Sequence, residues 1–224
     1  MWLKNIFDLF FPETCHGCGT PLYEHEKMLC DYCKFNLPFT NFHKVVDNEV
    51  EQVFYGRVYI YQATSLLHFS KHGSVQSLMH NLKYKNRPDI GIYLGKIAGK
   101  QLKNYYSEVD ILMPVPLHKS KLKKRGYNQS EMIAKGISLI TGIPIADNLQ
   151  KVKATKTQTK KSREERYLNT LDSFQVVNPD FLSNKHILIV DDVLTTGATL
   201  EAAITALLKT GVNMQISIFT LAKA

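Results

Sequence analysis

Two groups of side chains in this sequence are of types that do chemistry rather than fill a core. The first lies in ILIVDDVLTTGATL, Ile187–Leu200, where Asp191 and Asp192 follow an apolar run and precede small hydroxyl residues and a glycine. Small residues let a phosphate approach the backbone, and successive N–H groups at a helix start give that approach a positive field. The hydroxyls of Thr195, Thr196 and Thr199 add donors with little bulk. The two carboxylates would repel a phosphate, so they must face something that donates hydrogen bonds, and vicinal sugar hydroxyls do. A ribose 5-phosphate presents both features at this separation. No G-x4-G-K-S/T stretch supports a nucleoside triphosphatase, and no G-x-G-x-x-G supports a dinucleotide site.

The second group is Cys15, Cys18, Cys30 and Cys33, all the cysteines of the chain, spaced C-x2-C, eleven residues, C-x2-C. Two residues between cysteines let both thiolates reach one ion from a tight turn, and two such knuckles complete a tetrahedral sulfur site for structural Zn2+. Gly17 and Gly19 flank Cys18 and ease the turn that aims backbone amides at sulfur. With four protein ligands the ion has no open position, so it would hold shape and do no chemistry.

These groups need elements to position them. Residues 1–40 read as the cysteine module, 41–105 as a linker or hood region, and 106–224 as an α/β domain. Val58–Tyr61 is a candidate strand. Ser74–Lys103 has helical period, broken near Pro88. Ile111–Met113, Ile143–Ile145, Ile187–Val190 and Gln215–Leu221 read as strands, and Asn128 with Glu131 resembles a capping box opening a helix. Thr199–Lys209 reads as a helix ended by Gly211. Strands alternating with helices predict a parallel sheet with its binding loops at the strands' carboxyl ends, where Asp191 and Asp192 fall.

The chain has 224 residues and a formal charge of +8, Lys and Arg outnumbering Asp and Glu by 28 to 20. That balance favours anionic partners without choosing among phosphorylated small molecules, nucleic acid and a membrane surface. No apolar run approaches the length of a spanning helix. The opening MWLKNIFDLFF is a poor signal peptide and reads as a short amphipathic helix packed on the protein or touching a membrane, which leads to a cytoplasmic expectation.

LIVDDVLTTGAT resembles the PRPP-binding signature of type I phosphoribosyltransferases, PRPP being phosphoribosyl pyrophosphate. With the paired C-x2-C knuckles, the chain resembles the ComF family of competence-associated phosphoribosyltransferase-like proteins. Further matching segments are Leu82-Lys83-Tyr84 with Arg87, Pro114–Leu117 leading to Arg125–Gln129, Thr155 with Gln158, Arg166 with Asn169, and Phe174.

The resemblance implies a type I phosphoribosyltransferase-like parallel sheet flanked by helices, with a small amino-terminal zinc-ribbon-like module. It implies that Asp191 and Asp192 contact the ribose hydroxyls and that Thr195, Thr196, Gly197, Ala198 and Thr199 hold the 5-phosphate. It puts a pyrophosphate loop at Leu117, His118 and Lys119, with Arg125 a nearby cation. Asp191, Asp192, Lys119 and Arg125 are then the catalytic candidates. Gln158, Arg163 and Arg166 would belong to a closing loop, and Lys83, Tyr84 and Arg87 would face the acceptor. Mg2+ would arrive with PRPP. The expected activity is phosphoribosyl transfer to an unidentified acceptor in DNA uptake. The alternative is a non-catalytic, PRPP-responsive factor that binds single-stranded DNA. Partners implied are PRPP, single-stranded DNA, and DNA-uptake or helicase proteins.

Overall fold

A computed structural model describes residues 12–152 and 173–224. Its centre is a four-stranded, wholly parallel sheet made of β1 (Gln62–His68), β2 (Ile111–Pro114), β5 (Lys185–Leu194) and β6 (Met214–Lys223), in the order β1-β6-β5-β2. β5 and β6 are buried on both faces over most of their length, as central parallel strands must be. Side chains alternate between two cores. Leu112, Leu188, Val190 and Phe219 enter one, while Ile111, Met113, Ile187, Ile189 and Ile218 enter the other.

The first core is closed by α3 (Ser74–Tyr84), α4 (Pro88–Leu102) and α6 (Gln129–Thr141). The predicted break is where the sequence put it. α3 ends at Tyr84 and α4 restarts with Pro88 in its first turn, where a missing N–H costs nothing. α4 and α6 touch backbone to backbone. A Cβ on Gly95 would lie 2.3 Å from the carbonyl oxygen of Ile133, and one on Gly136 would lie 2.3 Å from that of Ile92. Only glycine permits this approach. Its consequence is positional, because α6 is thereby held with its first turn against the end of β5.

The second core is covered by α7 (Ala198–Leu208) together with Val50 of the short α2 (Glu49–Gln52) and Phe54 just after it. β3 (Leu149–Lys151) and β4 (Phe174–Val176) form a separate antiparallel ladder. The cysteine module, with α1 (Asp31–Phe35), packs into the first core through Cys15, Leu29 and Cys33. Among the described residues no helix is long and apolar enough to cross a membrane.

Several expectations need correction. Val58–Tyr61 is not a strand. Turn bonds from Arg57 and Val58 back to Phe54 curl that segment, and sheet bonding starts with the Tyr61 amide donating to Ile216. Ile143–Ile145 reduces to one bridge, Leu112 with Ile145, since Pro144 has no N–H to extend a ladder. Asn128 caps α6 through Ser130, but Glu131 pairs with Lys135 at 2.9 Å instead of closing a capping box. The loop expected at Leu117, His118 and Lys119 runs directly into a helix. Lys119–Arg125 is a helix, α5, capped by His118 and ended by Gly126 at φ +82. Lysine and leucine are good helix formers, and three cations in the last turn suit the helix dipole.

Candidate functional site

β5 continues past its apolar run through Asp191 and Asp192 to Leu194, so the acids sit on the strand itself near its carboxyl end. Asp191 is sunk against the first turn of α6. Its Oδ1 accepts from Ser130 Oγ at 3.0 Å and from the Asp192 amide at 2.8 Å. Burial, and then the charge of Asp192, push its carboxyl up to about 7, against the pull of those donors and of Lys83. Asp192 meets Lys83 from α3, Nζ to Oδ2 3.0 Å, with both side chains mostly covered. Sequence reasoning set Lys83 among acceptor contacts. The structure joins it to the acid pair.

Beyond Leu194 the chain turns through Thr195, Thr196 and Gly197 into α7, with Ala198 its first residue and Thr199 its second. Thr195, Thr196 and Thr199 are exposed. Gly197 is at φ +76, and a Cβ there would come within 2.8 Å of Val53, so both conformation and space demand glycine. The turn is braced by Arg57, whose Nη1 donates to the Thr196 carbonyl at 2.7 Å while its Nε and Nη2 bond the buried Glu201. Neither Arg57 nor Glu201 was singled out from sequence. A lone arginine in an aromatic-rich stretch and a glutamate in a helix carry no signal until the fold brings them together.

Lys151, at the end of β3, is a further residue near the acids that the sequence did not single out. It lies over the Phe174 ring, 4.8 Å from its centroid. Burial, and then nearby Lys121, lower the affinity of its amine for a proton, while Asp191 acts the other way. It therefore belongs to the charged surroundings of the acid pair.

On the other side of Lys83 opens a cleft of about 400 Å3 lined by Lys83, Tyr84, Asn86, Lys121, Lys124 and Arg125. Arg125 lies over the Tyr84 ring at 5.5 Å, and its Nη1 donates to Gln129 Oε1 at 2.7 Å. Lys83, Tyr84 and Arg125 are thus brought together. Arg87 is not among them. It grips Asp89 with two nitrogens and turns toward Met28 of the cysteine module. His118 Nδ1 accepts from the Ser120 amide as the cap of α5, and Lys119 is exposed at the helix start beside the half-buried Leu117. Gln158, Arg163 and Arg166 lie outside the described residues.

In the cysteine module the sulfurs of Cys15, Cys18, Cys30 and Cys33 lie within 4.8 Å of one another. None is disulfide-bonded, and the sulfurs of Cys18 and Cys30 stand 3.7 Å apart. Amides of Gly17 and Cys30 point at Cys15 sulfur, and that of Cys33 at Cys30 sulfur. Thiolates gathered around one ion at about 2.3 Å need this spread, and amide donors help carry their charge. The cluster is able to hold a metal ion.

Residues 122–224 match the phosphoribosyl transferase domain family, a span that includes the acids, the threonine turn and α6. The chain is 35% identical over 117 residues to competence protein F of Haemophilus influenzae, covering 51% of each protein. It is 33% identical over 145 residues to competence protein ComFC of Bacillus subtilis, covering 63% of this chain and 58% of the relative. These matches, to a phosphoribosyl transferase domain and to competence proteins, agree with the resemblance to the ComF family. Another family resemblance is to DNA utilization protein YhgH of Salmonella typhimurium, 29% identical over 140 residues, covering 60% of this chain and 61% of the relative. The matched stretches thus span between about half and three-fifths of these relatives' length. The expected fold, a phosphoribosyltransferase-like parallel sheet flanked by helices beside a four-cysteine module, is the one found.

Proposed function

We propose that this chain binds Mg-PRPP at the carboxyl end of β5 and transfers its phosphoribosyl group to an acceptor during DNA uptake. The observation that carries this is the pairing of Asp191 and Asp192 with the Thr195–Thr199 turn at the end of a central parallel strand. The turn offers hydroxyls and the amides at the start of α7 to the 5-phosphate. The acids offer acceptors to the ribose hydroxyls. In that complex the hydroxyls would take the place of Lys83 at Asp192, and the freed ammonium would stay close to the sugar.

The reaction is displacement of pyrophosphate at C1 by a nucleophile of the acceptor. Mg2+ bound with PRPP would help to spread the leaving charge. Lys119, with Lys151 nearby, supplies a protein cation for the same purpose. Asp191 and Asp192 orient the sugar. The cysteine cluster is assigned to Zn2+ in a structural role, because four sulfur ligands leave no position open.

Calorimetry with Mg-PRPP tests this. Wild type should bind, and the double variant Asp191→Asn, Asp192→Asn should lose at least tenfold in affinity while keeping its fold. Unchanged affinity would sink the ribose role. Pyrophosphate release in a screen of bases and amines then separates transfer from binding alone.

A second reading, a PRPP-responsive factor working on single-stranded DNA, is favoured by the exposed Lys119, Lys121, Lys123 and Lys124 of α5, for which no ion pair occurs among the described residues. The family names competence protein and DNA utilization protein point the same way. Binding of an oligothymidylate that weakens steeply with salt, and less steeply in Lys123→Ala, Lys124→Ala, supports it. Binding without salt dependence would count against it.

A further inference from the structure

We infer that the cleft beside Lys83 is the seat of a nucleoside 5′-monophosphate, the second substrate or effector of the proposed PRPP site. The proposal rests on that reading and adds the chemical class of the second ligand. Among the described residues the cleft is lined by four cations, Lys83, Lys121, Lys124 and Arg125, and by no acid. A neutral base alone would leave that charge unanswered, whereas a phosphomonoester answers it at close range. The remaining lining is Tyr84 and Asn86. Tyr84 is 61% exposed and already holds the Arg125 guanidinium 5.5 Å from its ring centre, so an aromatic plane and a planar cation stand ready for a stacked base. Asn86 brings an amide that both donates and accepts, as a base edge requires. A volume of about 400 Å3 is in the range of small-ligand sites.

Arg125 is fixed before any ligand arrives, because Gln129, itself buried, accepts from it at 2.7 Å. Lys83 is the link to the acid pair. In the free protein its ammonium is spent on Asp192 at 3.0 Å. When ribose hydroxyls take that carboxylate, Lys83 becomes available to the cleft, whose cations then number four in use where three were before. PRPP and the nucleotide should therefore bind cooperatively and in that order.

The test is calorimetry on the whole chain with thymidine 5′-monophosphate, thymidine and a 5′-phosphorylated oligothymidylate, each with and without Mg-PRPP. The expected result is that the monophosphate binds, at least fivefold tighter with Mg-PRPP present, and that thymidine binds at least tenfold more weakly. Lys121→Ala, Lys124→Ala should cut monophosphate affinity tenfold or more and leave that for Mg-PRPP within twofold. Whether the free nucleotide or the phosphorylated strand binds tighter identifies the source of the ligand, and binding by either supports the site. Competition between the monophosphate and Mg-PRPP, or equal loss of both in the variant, would overturn the inference by giving the cleft to the pyrophosphate of PRPP. Equal binding of thymidine and its monophosphate, or binding of neither nucleotide nor strand, would overturn it as well. Monophosphate binding in a protein that ignores Mg-PRPP would instead sink the proposed function while leaving the cleft an anion site.

Discussion

In the cysteine cluster four sulfurs lie within 4.8 Å of one another on residues 15 to 33. In the acid corner Asp191 meets Ser130 from 61 positions away, and the neighbouring turn is braced by Arg57, 144 positions from its partner Glu201. Both places crowd groups of like charge. The first can be relieved by one ion, which a short loop pair is able to wrap. The second is relieved piecemeal by a serine hydroxyl, an amide, a lysine and partial neutralisation of Asp191. A locally built site depends on its own spacing. A site assembled by the sheet depends on every contact that holds the sheet's helices in place.

The largest expected effect breaks the local site. Cys33→Ser should abolish stoichiometric metal binding. A loss of about 4 kcal/mol would lower the melting temperature of a chain this size by about 8–16 °C. Metal content and a thermal scan check this. If the two regions are independent, Mg-PRPP affinity at a temperature where the variant is folded stays within twofold. A larger drop would mean that the module also positions α3 and its Lys83, to which it is joined through one hydrophobic core.

Next comes the scaffold of the distant site. Gly136→Ala sets a methyl 2.3 Å from the Ile92 carbonyl oxygen. Forcing α4 and α6 apart should cost about 2–4 kcal/mol by denaturant unfolding. It should also move Ser130 away from Asp191 and weaken Mg-PRPP binding, while metal content stays at the wild-type value. Loss of metal in this variant would erase the contrast between the two regions.

Asp191→Asn is expected to act through pH. The carboxyl of Asp191 is raised from 3.8 to about 7 on folding, so the native state holds a proton that the unfolded state releases. Stability contributed by the protonated form is therefore full below the lower value, declines as pH rises between the two, and is level above the higher. The asparagine variant should lack this decline and so gain on the order of 4 kcal/mol relative to wild type between acid pH and pH 8. Parallel stability curves for the two proteins from pH 4 to 8 would contradict the burial of Asp191.

The smallest effect sharpens the account of the pair. Lys83 holds the Asp191 carboxyl down, so Lys83→Met should move its titration midpoint upward, read by carbon-detected NMR of the carboxyl. An unmoved midpoint would show that Lys83 acts on Asp192 alone.

Much of this was legible in the residues. The C-x2-C knuckles, the acids after an apolar run, the break at Pro88 and the apolar strands all lie in short windows, where spacing and period are direct consequences of backbone geometry. The misreadings share one cause. Val58–Tyr61 and Ile143–Ile145 have strand composition, but which of them ladders was decided by where turn bonds and Pro144 left donors. Lys119–Arg125 has no apolar period to mark a helix, and its caps at His118 and Gly126 made it one.

By itself the sequence determined the sulfur cluster and the chemical character of the β5 edge, because each is carried by adjacent or near-adjacent residues. Tertiary structure alone decided that Lys83 meets Asp192, that Ser130 holds Asp191, that Arg57 braces Thr196, and that Lys83, Tyr84 and Arg125 share one cleft. Those pairings join residues far apart in the chain. Their distances are set by glycine-close helix contacts and sheet order, which no local pattern encodes.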